Sequence, residues 1–179
     1  PGVCFHLVHK ERHEGYLLQH QVPEIRRVAL DRIYLEVATL SMGKPRQVLA
    51  EALEPPSEEA VNAALQNLQE YGMVSEEDET EVTPLGAHVV LFPTDVRIAK
   101  MLIYGTLFNV LDPVLTVAAA ISERSPFAFP ASARDEMMRR YRAEFATGYS
   151  DFQLLVSVFD RWADLRRMGP QRRFCSEWQ

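Results

Sequence analysis

The chain has 179 residues, 47% of them hydrophobic, enough to bury a core as one large domain or two small ones. Its formal net charge of −6 excludes the overall basic footprint of many nucleic-acid binders. Only two cysteines, Cys4 and Cys175, stand near opposite ends, which excludes a disulfide framework or cysteine metal cluster and points to an intracellular, reducing compartment.

The sequence begins at Pro1 rather than methionine and carries no signal-peptide pattern, so it reads as a piece of something longer. No apolar run reaches the roughly 18 residues a membrane helix needs. Residues 1–9, PGVCFHLVH, are short and mixed, more like an extended lead-in than a helix. In VPEIRRVALDRIYLEVATL, Ile25, Val28, Ile33, Val37 and Leu40 recur at near-helical spacing, and Pro23 suits a first helical turn. That predicts one helix ending at Ser41-Met42-Gly43. A shorter helix is expected around Val48, Leu49 and Leu53, stopping at Pro55-Pro56.

Ser57 is a good N-cap, with Glu58 and Glu59 in the favourable first turn. Val61, Ala64, Leu65, Leu68 and Tyr71 then make an apolar stripe that Gly72 closes. Two short extended pieces follow, MVS and EVT, separated by EEDETE at residues 76–81. That run holds five carboxylates in six positions and is either a solvated loop or a partner-binding feature. Three helices and a small hairpin is the order of a winged helix.

Thr83-Pro84 is a cap followed by proline at the first helical position, and Pro93 stops the resulting helix. Thr94 is expected to cap the next helix, with Asp95 at its positive end and apolar surface from Ile98, Met101, Leu102 and residues 104–107. Asp112-Pro113 repeats the device and opens PVLTVAAAISER, an almost wholly apolar helix expected to be central. After SPFAFPAS, two more helices are predicted, over about 133–146 and 151–167. The fold class is mainly α: a winged helix followed by a bundle of four or five helices.

Catalytic patterns are missing from the sequence. It contains no G-x-x-x-x-G-K-S/T phosphate loop and no G-x-S-x-G elbow. His6, His9, His13 and His20 lack metal-ligand spacing, and Glu58 and Glu59 are adjacent on a helix and so point apart. The chain alone does not read as an enzyme. Cations are grouped instead, as Arg26 and Arg27, Arg97 and Lys100, Arg139, Arg140 and Arg142, and Arg166, Arg167, Arg172 and Arg173. Guanidinium groups offer a rigid donor fork to phosphate, but each group alone is more often a solvated face or a domain-contact salt bridge than a nucleic-acid contact.

A series of landmarks in order resembles the C-terminal region of the DEAH-box ATP-dependent RNA helicases. These are PGVCFHLV, VPEIRRVALDRIYLEV, ALEPPSEEAVNAALQNLQEYGMV, VTPLGAHVVLFPTDVRIAKMLIYG, VLDPVLTVAAAISERSPF and YSDFQLLVSVFDRW. They span nearly the whole chain, and DVRIAKMLIYGTLFNVLDPVLTVAAA is most similar to the branch typified by RNA helicase A.

The resemblance implies a lead-in from a second RecA-like domain over 1–22, a winged-helix domain over 23–83, and a ratchet-like bundle over 84–179. It implies that ATP and Mg2+ belong to motor domains outside this chain, and that partners are single-stranded RNA and the RecA-like and OB-fold domains. A protein partner at the acidic wing stays open; a membrane does not figure. Arg97 and Lys100 become candidates for RNA backbone or a neighbouring domain, and Arg26 and Arg27 for a domain interface. The sequence departs from the family at Phe129-Pro130, where relatives carry Arg-Pro, and at Asp151-Phe152, where they carry Asp-His. Phe129 and Phe152 are therefore candidates for apolar or stacking contact with RNA, or for core packing. The competing function is a protein-interaction module with little RNA contact. A free-standing DNA reader is disfavoured because AVNAALQNLQEY has no arginine or lysine.

Overall fold

The computed structural model describes residues 2–5, 7–18, 20–123, 132, 134–145, 148 and 150–168. It is mainly helical: α1 Lys10–Gly15, α2 Asp31–Thr39, α3 Pro45–Ala50, α4 Glu58–Glu70, α5 Pro84–Val89, α6 Val96–Leu107, α7 Leu111–Ser122, α8 Arg134–Phe145 and α9 Asp151–Met168. The chain divides into two compact units between Val90 and Leu91.

In the first unit α2 packs on α3 and α4. The stripe expected on α4 is the buried one, with Val61, Ala64, Leu65 and Leu68 all inside. The Ser57 hydroxyl accepts the Ala60 N–H at 3.2 Å, relieving one of the orphan donors of the first turn. Gly72 closes the helix at φ +69°, a left-handed conformation that side chains resist. Full burial of Leu35 and Leu68 contributes about 1.5–3 kcal/mol each.

The helix expected from Pro23 to Leu40 is instead two pieces. A 3-10 turn covers Glu24–Arg26, and α2 begins at Asp31. The break moves the buried face by one position: Leu30, Tyr34, Leu35 and Ala38 are inside, whereas Val28 and Leu40 are exposed. A single helical phase carried through residues 25–40 misses this because the turn resets the phase. The α3 helix ends at Ala50, leaving Leu53 in solvent. α1, which the sequence did not announce, buries no residue.

Among the described residues, extended structure is limited to one antiparallel bridge, Val74–Val82. The expected hairpin is thus a tight loop rather than two strands. Ser75 donates to the Glu81 carbonyl at 2.9 Å, and Thr83 to the Met73 carbonyl at 3.0 Å. The turn between them is organised by Asp78, which accepts from the Thr80 N–H and hydroxyl at 2.8 and 2.7 Å. Such local bonding satisfies the backbone without a ladder.

The loop then feeds α5. Thr83 caps it as expected, accepting the Gly86 N–H at 3.1 Å while its hydroxyl donates to the Gly72 carbonyl at 2.8 Å. Gly86 lies against the chain just passed; a Cβ there would stand 2.2 Å from the Met73 carbonyl oxygen.

In the second unit α7 packs against both α6 and α9, and α9 against α8. Tyr141, Phe145 and Leu154 form a buried cluster joined by Met137 and Val158. The α6–α7 reversal is made by Asn109 at φ +56°, a residue type that tolerates this region, and by close approach of Gly105 to Val114. Two caps differ from expectation. Asp95, rather than Thr94, is the N-cap of α6. α7 starts at Leu111, so Asp112 sits within its first turn and does not cap it. Pro113 remains in that first turn, where a missing N–H is harmless. α7 also keeps Leu111, Leu115 and Ile121 exposed, so it is central in contacts but not buried all round.

Candidate nucleic-acid interface

Asp95 organises the start of α6. Its carboxylate accepts the Arg97 N–H at 2.9 Å, and the Arg97 guanidinium closes back on both carboxylate oxygens at 3.0 and 3.2 Å. The guanidinium bond is the largest reason the Asp95 carboxyl is held below its ordinary value of 3.8, against an opposing push from burial. The pair stands at the rim of an open cavity of about 640 Å³ between the first turns of α6 and the end of α7, where Ile98, Met101 and Ile121 supply apolar walls and Ser122 a hydroxyl. Arg97 thus keeps its guanidinium at the surface while its charge is opposed by the Asp95 carboxylate.

Lys100 follows one turn on. Its ammonium lies 5.7 Å from the centre of the Tyr104 ring, within the range of a cation–π contact. Tyr104 in turn stacks with Phe108, centroids 6.2 Å apart and planes 18° from parallel. Arg97, Lys100, Tyr104 and Phe108 are spaced by three, four and four residues, so they share one face of α6.

The other candidates are placed elsewhere. Arg26 Nε donates to the Pro55 carbonyl at 3.0 Å and Arg27 Nε to the Val22 carbonyl at 2.8 Å, so each braces a local turn of the first unit. Arg139 Nε is taken by the Asp135 carbonyl at 3.2 Å, and Arg142 joins α8 to Asp151 of α9 at 3.2 Å. Phe152 is exposed on the first turn of α9. Phe129, with Arg172 and Arg173, lies outside the described residues.

Three features escaped the sequence reading. Tyr104 counts only as apolar surface in the sequence and Phe108 is not singled out, although the i, i+4, i+8 spacing of Lys100, Tyr104 and Phe108 is visible. A second ladder on α9 has Phe159 against Trp162 at 5.7 Å and Arg166 over the Trp162 ring at 5.4 Å. Arg46 was not singled out at all. It bonds the Asn62 side chain and holds Glu79 of the acidic turn at 2.7 Å. That contact crosses 33 residues of sequence, a distance no local pattern bridges.

This geometry is matched by kinship. Residues 95–175, starting at the N-cap aspartate of α6, match the family described as "Helicase associated domain (HA2), ratchet-like". Nearly all of the chain is homologous to a segment of the DEAH/DExH-box ATP-dependent RNA helicases, as the order of landmarks predicted. It is 36% identical over 96% of its length to the human ATP-dependent RNA helicase DHX29, and 36% identical over 99% to the DExH-box ATP-dependent RNA helicase DExH1 of Arabidopsis thaliana. The human ATP-dependent DNA/RNA helicase DHX36 is 35% identical, again over 99%. The chain spans 12%, 17% and 18% of these three relatives, respectively.

Proposed function

We propose that the chain is the accessory region of an ATP-dependent DEAH-box RNA helicase, lining part of the channel for single-stranded RNA and coupling closure of the motor domains to strand movement. The observation that carries this reading is the Asp95–Arg97 pair at the rim of an open cavity, with Lys100 one turn further along α6, at the point where the helicase-associated match begins. In this reading the first unit is a winged-helix scaffold and the second the ratchet. Arg97, oriented by Asp95, and Lys100 meet the RNA backbone or a neighbouring helicase domain; Arg26 and Arg27 stiffen the scaffold near a domain contact.

ATP and Mg2+ belong, on this proposal, to RecA-like domains of the same protein. The sequence here has no phosphate loop, and no group of three metal-ligating side chains gathers among the described residues. What the chain supplies is binding and orientation of the strand.

The test is anisotropy of labelled single-stranded RNA against salt. The wild type should bind weakly, tolerate any sequence and lose affinity as salt rises. Arg97→Glu with Lys100→Glu should weaken binding about tenfold at low salt, and in the whole helicase should lower RNA-stimulated ATP hydrolysis without unfolding. Unchanged stimulation removes both residues from the mechanism.

A second reading, a protein-interaction module with little RNA contact, draws on the acidic turn at residues 76–81, which Arg46 and Asp78 hold in a fixed shape. It predicts negligible RNA binding at any salt.

A further inference from the structure

We infer that the acidic turn at residues 76–81 is a docking site for a lysine- and arginine-rich segment of another protein, which takes Glu79 over from Arg46. Such a site belongs to the first unit and is independent of the RNA-channel reading; it rests on the acidic turn that the second reading draws on.

Charge selects the occupant. The turn carries Glu76, Glu77, Asp78, Glu79 and Glu81, and all but Glu79 are exposed. Two cations act on it: Arg46 bonds Glu79 at 2.7 Å, and the field of Lys44 reaches Asp78. Five carboxylates against two cations leave a surplus of negative charge, which repels a polyanion and attracts a cationic chain. The carboxylates do not converge on one point, since no group of three metal-ligating side chains gathers among the described residues. Spread along a turn, they suit several charges on a peptide rather than the compact oxygen cage of a metal ion.

A buried atom marks the closed turn as exchangeable. The base of the turn is anchored by the Val74–Val82 bridge and by Gln69 Nε2, which donates to the Ser75 carbonyl at 2.9 Å. Glu79 is held by Arg46, whose guanidinium also bonds the Asn62 side chain. Tyr34, fully buried on α2, ends in a hydroxyl that meets no hydrogen-bond partner among the described residues. The charges that reach this hydroxyl are those of Glu79 and then Arg46, so it faces the same corner of the turn. The Arg46 and Glu79 side chains are 42% and 23% exposed, and an ion pair so open to solvent contributes little. A desolvated hydroxyl without a partner costs at least as much. Closure of the turn is therefore near balance, and lifting Glu79 away lets water reach Tyr34. A guanidinium or ammonium from another protein then meets Glu79 at small cost, while Glu76 and Glu77 take its neighbours.

The test uses the 179-residue chain and a fluorescent octa-arginine peptide, titrated by anisotropy at low salt. Glu76→Gln with Glu77→Gln should weaken binding about fivefold, the worth of two exposed ion pairs. Glu11→Gln with Glu14→Gln, an equal change of net charge on α1, should weaken it by less than about twofold. Tyr34→Phe leaves the charge unaltered and removes the atom that opening satisfies, so it should weaken binding about threefold. Arg46→Gln releases Glu79 and should tighten binding about threefold. The fold of every variant is checked by circular dichroism. Oligouridylate binding, the measure of the channel reading, should be the same for wild type and for Glu76→Gln with Glu77→Gln, so each reading can fail without the other.

Equal weakening by the two glutamate pairs means that the peptide senses net charge alone, and overturns the docking site. Wild-type affinity in either Tyr34→Phe or Arg46→Gln overturns the exchange of Glu79, and the inference with it. If calcium chloride displaces the peptide where sodium chloride of equal ionic strength does not, the turn is a metal site and the inference falls. Absence of peptide binding at low salt has the same result.

Discussion

Asp95 shows how much one side chain can be asked to do. It caps α6, orients Arg97 and sets the charge at the cavity rim. Because its carboxyl is held below 3.8 in the folded chain, the folded state binds protons there less readily than the unfolded state. The resulting stability is present above the unfolded value, about 3.9, and lost as pH falls through the folded one. Asp95→Asn keeps an effective cap but gives up the ion pair, which at this exposure contributes about 0.5 kcal/mol. The unfolding free energies of the two proteins, from denaturant titrations, should differ by that amount from about pH 5 to pH 8 and converge in acid. A gap that persists at low pH would assign the effect to the cap alone.

Tyr34 is the opposite case, a polar atom inside the first unit. Its hydroxyl is buried and meets no hydrogen-bond partner among the described residues. Burial, and then the negative charge of Glu79, push its pKa to about 12. The folded state therefore retains the proton longer, and stability should fall as pH rises from about 10 to 12. Tyr34→Phe should be neutral or slightly stabilising at pH 7, since a desolvated hydroxyl without a partner is a cost, and should flatten the alkaline loss. Alkaline denaturation monitored by circular dichroism separates the two proteins.

At the scale of elements, two glycines look alike in sequence and differ in consequence. Gly86, in the first turn of α5, would place a Cβ 2.2 Å from a backbone oxygen, which cannot swing away. Gly86→Ala should cost about 1–3 kcal/mol, read as a lower thermal midpoint. Gly105, within α6, would bring a Cβ to 3.1 Å from Val114 side-chain carbons, which can yield slightly. Replacing a mid-helix glycine gains up to about 1 kcal/mol, so Gly105→Ala should leave the midpoint nearly unchanged. Helix existence was legible here because capping chemistry and proline act within four residues: Ser57, Thr83 with Pro84, and the α4 stripe all behave as their local pattern requires. The phase of α2 was not legible. Its turn at residues 24–26 is braced by Arg26 reaching Pro55 across 29 residues, and no window of sequence contains both. The two extended pieces failed to become strands for a related reason, since one bridge and an Asp78 turn already satisfy the backbone there.

For the molecule as a whole, the negative charge and the family kinship pull in different directions, and distribution reconciles them. Five of the carboxylates sit in the turn at residues 76–81 of the first unit, while the cation-and-ring face lies on α6 of the second. Net charge speaks to long-range attraction and says little about short-range contacts, so a chain of −6 can still carry a local cluster of cations and rings.

By itself, the order of landmarks along the chain determined the kinship with DEAH/DExH-box helicases, and short-range rules determined most of the helices. Both are properties of neighbouring residues, which a linear string records. Which partners the cations meet, which aromatic rings stay outside the core and how the acidic turn is held were decided only by tertiary structure. Arg97 and Lys100 are equivalent as letters. Folding gives one a carboxylate and the other an aromatic face, because a charge's effect depends on what lies within a few ångströms in space.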